Sequence, residues 1–349
     1  MNGKLIYRYG IAGWLALVVV AWAPAAFAKW ANPQLLLTPE QLQKNIEKSD
    51  WVVVDCRDLD AYLKGHIPGA VSLGKKCGTA LRDPTARVFK DVKKYEDLLG
   101  KVGVGNNTHV VFYHGDMRDL TDATVGFWVM EYLGHDGKVH VLNGGLDAWR
   151  KAGQRLDDKP AKKDPTTFKA KVVKSRYAST DEILKIAKGQ VKGVQLIDSR
   201  TVKEHKGEDI RALRGGHIAA ANHANIPYEQ GWVDPAATSK LAEKKVDNRN
   251  GMALKDTSGL KDLYKGLDPK KEVVAYCQTG TRSTQTYAVL RELGFQKVRN
   301  YDDSWIVYGS NLDLPAKNAS YYDFVKVNAA LKRLEALEKR LDQIAPMKK

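Results

Sequence analysis

The chemistry open to this chain gathers around one thiol. Cys277 closes the apolar run Val273-Val274-Ala275-Tyr276 and is followed by Gln278, Thr279, Gly280, Thr281, Arg282 and Ser283. The run reads as a buried strand, the polar segment as a short loop, and the stretch from about Ser283 as the start of a helix. That order aims loop amides and a helix N-terminus back at the sulfur. Both favour negative charge, so the thiolate form of Cys277 is stabilised. A thiolate ringed by amides can attack a sulfur atom and hold it as a persulfide. Gly280 lets the loop curl tightly, and the hydroxyls of Thr279 and Thr281 can donate hydrogen bonds. Arg282 reads as a cation within reach of an anionic donor. Its other reading is a helix-start residue paired to a nearby acid.

The elements that must place this loop occur twice. Val52-Val53-Val54-Asp55-Cys56-Arg57 followed by Gly65-His66-Ile67 in the first half matches Gln195-Leu196-Ile197-Asp198-Ser199-Arg200 followed by Gly216-His217-Ile218 in the second. Further on, His109-Val110-Val111-Phe112-Tyr113-His114 matches Glu272-Val273-Val274-Ala275-Tyr276-Cys277. Helical stretches ending at Gly134 and Gly294, short strands, and turns into aromatic helices at Trp149 and Trp305 complete each copy. Short apolar strands alternating with helices imply an α/β chain of two tandem domains, each a mainly parallel sheet flanked by helices. Ligands of such sheets bind beyond the carboxyl ends of the strands, which is where Cys277 falls.

Residues 1–28 read as a signal peptide. Lys4 and Arg8 form the positive region, Ile11–Trp22 the apolar core, and Ala26-Phe27-Ala28 the cleavage signal. An uncleaved anchor is the alternative, but the apolar run is short of the roughly 20 residues a span needs. The expected location is the periplasm, with no stable membrane anchor after cleavage. The remaining 321 residues divide into a first domain over 29–153, a linker over 154–174, a second domain over 175–314 and a helical tail over 315–349. The net charge of +15 comes from lysines and arginines spread along the chain. It reads as a solvated basic surface that attracts small anions, with no nucleic-acid partner. Of the three cysteines, Cys56 reads as a small buried hydrophobe in preference to half of a disulfide with Cys77. The tail carries Phe324, Val327, Leu331, Leu334, Leu337, Leu341 and Ile344 on one helical stripe. Packing of that stripe on its own domain is the expectation, and a helix-helix dimer contact is the alternative.

The duplicated Asp-x-Arg, the Gly-His-Ile turn and the strand-Cys-loop pattern resemble the tandem-domain rhodaneses, the sulfurtransferases of the thiosulfate and 3-mercaptopyruvate type. The resemblance runs through about Leu314. It implies a catalytically silent first domain, where His114 replaces the cysteine, and a catalytic second domain. The implied reaction passes sulfur from a small anionic donor such as thiosulfate to Cys277, and on to cyanide, a thiol or an acceptor protein. It needs no metal or organic cofactor. Asp198 and His217, duplicated as Asp55 and His66, read as structural supports. For Arg200, pairing inside the fold and substrate contact stand equal. The substrate-binding arginine that the family carries a few residues later is missing near Glu204, and Arg211 or Arg214 are the candidates to replace it. Gln278 and Thr279 stand where the thiosulfate type carries basic residues, so 3-mercaptopyruvate remains an alternative donor, and a non-enzymatic persulfide carrier an alternative role. A related phosphatase pattern needs five residues between cysteine and arginine, whereas Gln278 to Thr281 supply four. His205, His217 and His223 show no metal-ligand spacing.

Overall fold

The fold follows from two sets of short, largely buried strands. In the first half these are β1 (Leu36–Leu37), β2 (Trp51–Asp55), β3 (Val71–Ser72), β4 (His109–Tyr113) and β5 (Val139–Leu142). β-Branched and aromatic residues buried on both faces suit parallel strands covered by helices. The sheet order is β1-β5-β4-β2-β3, with every pair parallel. In the second half, β6 (Gln195–Asp198), β8 (His223–Asn225), β9 (Val273–Tyr276) and β10 (Val298–Asn300) form a parallel sheet ordered β10-β9-β6-β8. The place of β1 is taken there by a single parallel bridge between Tyr177 and Asn300. A small antiparallel pair joins β7 (His217–Ile218) to β11 (Ala316–Lys317). The computed structural model describes residues 35–344 apart from Ala86, residues 116–119, Asp136 and residues 248–249; the signal-peptide segment lies outside the described residues. No helix among the described residues is long and apolar enough to cross a membrane.

The helices that follow β4 and β9, Leu120–Tyr132 and Arg282–Glu292, are buried almost all round. They lie against each other between the two sheets. Thr124 and Thr284 share a hydrogen bond of 2.8 Å, and Phe127 stacks obliquely on Tyr287. Below them, Glu131 accepts from Tyr287 at 2.5 Å and from the Arg291 guanidinium at 2.9 and 3.0 Å. A buried charge pair of this kind is tolerated because each partner is hydrogen-bonded as well as paired. One core cluster therefore runs through both halves.

Two sequence expectations are corrected here. Cys56 and Cys77 form a disulfide, with Cα atoms 4.7 Å apart. The amide of Cys77, the first residue of the short helix Cys77–Ala80, donates to the carbonyl of Cys56 at 3.3 Å, which sets the two side chains together. Nothing in the 21-residue separation reveals that approach. The C-terminal helix, Phe324–Ile344, does not pack on its domain: no residue along it is buried.

Candidate active site

Cys277 stands immediately past the end of β9, and its side chain is buried. Its amide donates to Ser304 Oγ at 3.0 Å, and its carbonyl accepts from the amide of Trp305 at 3.0 Å. The thiol is therefore fixed by the turn after β10. Burial pushes the Cys277 thiol up, but the opposing influences outweigh it: the Arg282 cation, amide hydrogen bonds from Ser283 and Thr279, and the Ser283 hydroxyl. The net shift is downward, toward thiolate. Ser283 Oγ lies 3.6 Å from the sulfur and 2.6 Å from Asn300 Oδ1, while Asn300 Nδ2 donates to the Gly280 carbonyl at 3.1 Å. Gly280 has φ +75°, and a Cβ there would meet the carbonyl oxygen of Asp302 at 2.4 Å. Both conditions demand glycine.

Arg282 has the acid partner that its second reading expected. Its guanidinium grips Glu204 with two bonds of 2.7 and 2.8 Å and still biases the sulfur toward the anion. Glu204 is held in turn by a capping box: its amide donates to Thr201 Oγ1 at 3.2 Å, and its carboxylate accepts from the amide of Thr201 at 3.1 Å. Thr279 and Thr281 are half-buried, and Gln278 turns inward to donate to the Arg211 carbonyl at 2.5 Å.

The three arginines expected to meet substrate separate. Arg200 is buried, bound to Asp198 at 2.6 Å and to the Gly216 carbonyl at 2.7 Å. Arg57 repeats the arrangement with Asp55 at 2.6 Å and the Gly65 carbonyl at 2.7 Å. The shared geometry makes Arg200 a structural residue and corrects its substrate reading. Arg214 is corrected as well: it is buried and donates to the carbonyls of Asn311, Leu312 and Leu314. Arg211 alone has an exposed side chain, 3.4 Å from Glu204 at the rim of the loop. Asp198 braces Arg200, His205 and Tyr276 together, and His217 bonds the carbonyl of His205 at 2.9 Å. His205, His217 and His223 do meet, with ligand atoms within 4.8 Å of one another. Their rings stack with interplanar angles of 11° to 21°, and nearly parallel rings do not aim their in-plane lone pairs at one point.

The residue that sequence reading missed comes from the other half. Arg82 is buried and donates to the Thr279 carbonyl at 2.6 Å, to Thr281 Oγ1 at 2.8 Å and to Asp302 Oδ1 at 2.7 Å. Burial pushes Asp302 up, to about 6, and the Arg82 cation opposes this. Because a trans peptide points its C=O and N–H in opposite directions, a guanidinium on the Thr279 carbonyl turns the Gly280 amide the other way. Arg82 thus clamps the loop from outside. Its only sequence signal is a lone arginine five residues past Cys77, which carries no information about a loop 197 residues away. A groove at the junction of the halves, lined by Tyr132, Arg176, Tyr177, Glu182, Glu272 and Arg299, includes none of the loop residues.

Residues 38–152 and 180–310 each match the Rhodanese-like domain family. The Thiosulfate sulfurtransferase of Corynebacterium glutamicum is 31% identical over 304 residues, spanning 83% of this chain and 92% of that protein. The Sulfur carrier protein TtuD of Thermus thermophilus is 30% identical over 303 residues, spanning 82% of this chain and 97% of that protein. Among solved structures, SseA from Escherichia coli, described with the fold and mechanism of 3-mercaptopyruvate sulfotransferases, superposes with a TM-score of 0.61 at 21% identity, covering 78% of this chain and 99% of that one. At that identity the likeness speaks for the fold alone.

Proposed function

The chain belongs to the rhodanese family, and from that premise we propose that it is a sulfurtransferase that carries the outer sulfur of thiosulfate on Cys277. The observation that carries this reading is the place of Cys277, buried just past the end of β9 with the Ser283 hydroxyl 3.6 Å from its sulfur, where the Arg282 cation and the amides of Ser283 and Thr279 favour the thiolate. The thiolate attacks the outer sulfur, an S–S bond forms to Cys277, and the bond to the sulfonate breaks as sulfite leaves with its electron pair. Cyanide or a thiolate then attacks the outer sulfur of the persulfide, and Cys277 leaves as thiolate. Gln278 to Ser283 form the loop that holds the transferring sulfur, and Arg211 at the rim meets the anionic end of the donor. Arg82 acts as a positioning residue through Thr279 and Thr281.

Preference for thiosulfate rests on charge: Arg282 and Arg211 favour a compact dianion. A sulfur-carrier role, suggested by the name of the Thermus relative, uses the same persulfide and differs only in its acceptor. We also propose export to an oxidising compartment, with the two domains divided within the 154–174 linker. The N-terminal pattern and the Cys56–Cys77 disulfide support export, since such bridges persist where thiols are not kept reduced.

Intact mass spectrometry tests the reading. Thiosulfate adds one sulfur, about 32 Da, that maps to Cys277 and is lost on adding cyanide. Absence of that gain with thiosulfate but gain with 3-mercaptopyruvate would reassign the donor, and absence with both would remove the enzyme reading.

A further inference from the structure

Among the described residues, the contacts that hold the C-terminal helix lie at its base. Ser320 Oγ donates to the Gly207 carbonyl at 2.5 Å, Tyr322 donates to the Ile210 carbonyl, and the Asp323 carboxylate caps the helix by accepting from the amides of Val325 and Lys326 at 3.1 and 3.2 Å. Beyond that anchor, Leu334 is 52% exposed, Leu341 65% and Ile344 63%. The helix has 21 residues, about 31 Å of length, and a continuous apolar stripe left exposed along it calls for a partner.

The charges beside the stripe say which partner. Val327, Leu334 and Leu341 recur every seven residues and run down the centre of the stripe, with Phe324 and Leu331 on one side and Leu337 and Ile344 on the other. At 100° per residue, Glu335 and Asp342 fall about 80–100° to one side of that centre line. Lys326, Arg333 and Arg340 fall about 80–120° to the other side. The single charged residue inside the stripe, Glu338, lies toward the acidic edge. One edge is therefore acidic and the other basic.

Two copies of such a helix can face each other in two symmetric ways. In an antiparallel pair each edge meets its own copy, so acid faces acid and base faces base. In a parallel pair the acidic edge of each helix meets the basic edge of the other. Opposite charges at the flanks set partner and orientation in helix pairs, and like charges exclude the alternative. We propose that Phe324–Ile344 pairs in parallel with the same helix of a second copy of this chain, joining two molecules tail to tail about a two-fold axis along the helices.

The test is sedimentation equilibrium of the chain across about 1–100 µM, which resolves association of micromolar strength. The expected result is twice the chain mass. Leu334→Glu returns the single-chain mass and leaves sulfur transfer within twofold. Glu335→Lys with Asp342→Lys gives one chain with two basic edges, and Arg333→Glu with Arg340→Glu gives one with two acidic edges. Each is monomeric alone, and an equimolar mixture is dimeric. Orientation is read in a Cys277→Ser background: Val327→Cys alone and Leu341→Cys alone each yield a disulfide-linked dimer under mild oxidation. A monomer throughout the range overturns the proposal. So does a monomer recruited to phosphatidylglycerol vesicles, or cross-linking that requires Val327→Cys and Leu341→Cys together.

Discussion

His114 and Cys277 occupy the same socket in the two halves. Each follows the last residue of the central strand, and each carbonyl accepts from the second residue of a turn, the Leu146 amide at 2.8 Å in one half and the Trp305 amide at 3.0 Å in the other. The residue before that amide has positive φ in both, +56° at Gly145 and 51° at Ser304. In the first half a Cβ on Gly145 would come within 2.8 Å of the His114 imidazole, so ring and glycine go together. Burial pushes His114 down to about 3 and keeps it neutral. In the second half Ser304 tolerates its left-handed backbone because its hydroxyl accepts from Cys277 N and donates to the Tyr301 carbonyl at 2.7 Å. A second pair of positions diverges alongside. Cys77 donates to the Cys56 carbonyl just as Tyr228 donates to the Ser199 carbonyl, at 3.3 and 3.1 Å. The first half has a disulfide there, and the second half has an aromatic ring 5.8 Å from Arg282. One scaffold thus serves two ends: a neutral plug with covalent bracing, and a charged socket with a cationic neighbour.

The sharpest way to break this comparison is to remove the thiol. Cys277→Ser leaves the circular dichroism unchanged and lowers cyanide-dependent turnover by more than about 10³-fold; retained turnover would sink the mechanism. Next is the brace of the first half. Replacing Cys56 and Cys77 by Ala together opens a loop of 21 residues and costs about 3 kcal/mol, seen as a lower urea midpoint, while turnover at 25 °C stays within about twofold. Loss of turnover in the folded variant would mean that the bridge serves the loop itself. Arg282→Ala raises KM for thiosulfate by about 10–100-fold and weakens cyanide capture less, and it moves the pH midpoint of Cys277 alkylation upward. Equal effects on both substrates would leave Arg282 as the partner of Glu204 alone.

Arg82→Ala tests whether the first half takes part. It lowers kcat by about tenfold, raises the alkylation midpoint, and leaves KM nearly unchanged, and Arg82→Lys restores part of kcat. An altered melting temperature with an unmoved alkylation midpoint would make Arg82 a stabilising residue only. The smallest effect contrasts Tyr132 with Glu292, which stand at matching helix ends. Burial pushes Glu292 up to about 8 from 4.5. The folded chain then holds a proton that the unfolded chain releases, so this contribution is complete below pH 4.5 and is lost as pH rises through about 8. Glu292→Gln therefore gains about 1 kcal/mol at pH 9 relative to the parent and little at pH 4, read from melting curves at both pH values.

What sequence reveals here is whatever is local. The duplication, the strand ends at Asp55 and Asp198, and the loop from Cys277 to Ser283 are short patterns whose geometry follows from neighbours in the chain. Arg200 needed its copy, Arg57, before the pairing with Asp198 could be told from a substrate contact. Arg82 and the Cys56–Cys77 bridge were illegible because each depends on an approach made by the fold: one across the domain junction, the other between a strand end and a helix start. The C-terminal stripe misled for a different reason. Its period shows that a face wants covering and says nothing about whose surface covers it.

The clamp of Arg82 on Thr279 and Thr281 bears on how the molecule is made. The first half emerges first during synthesis, with Arg82 already in its chain. The second half holds the thiol, but its loop acquires its outer wall only on docking. The loop that carries the thiol is therefore complete only where both halves meet, because Arg82 of the first half supplies its outer wall.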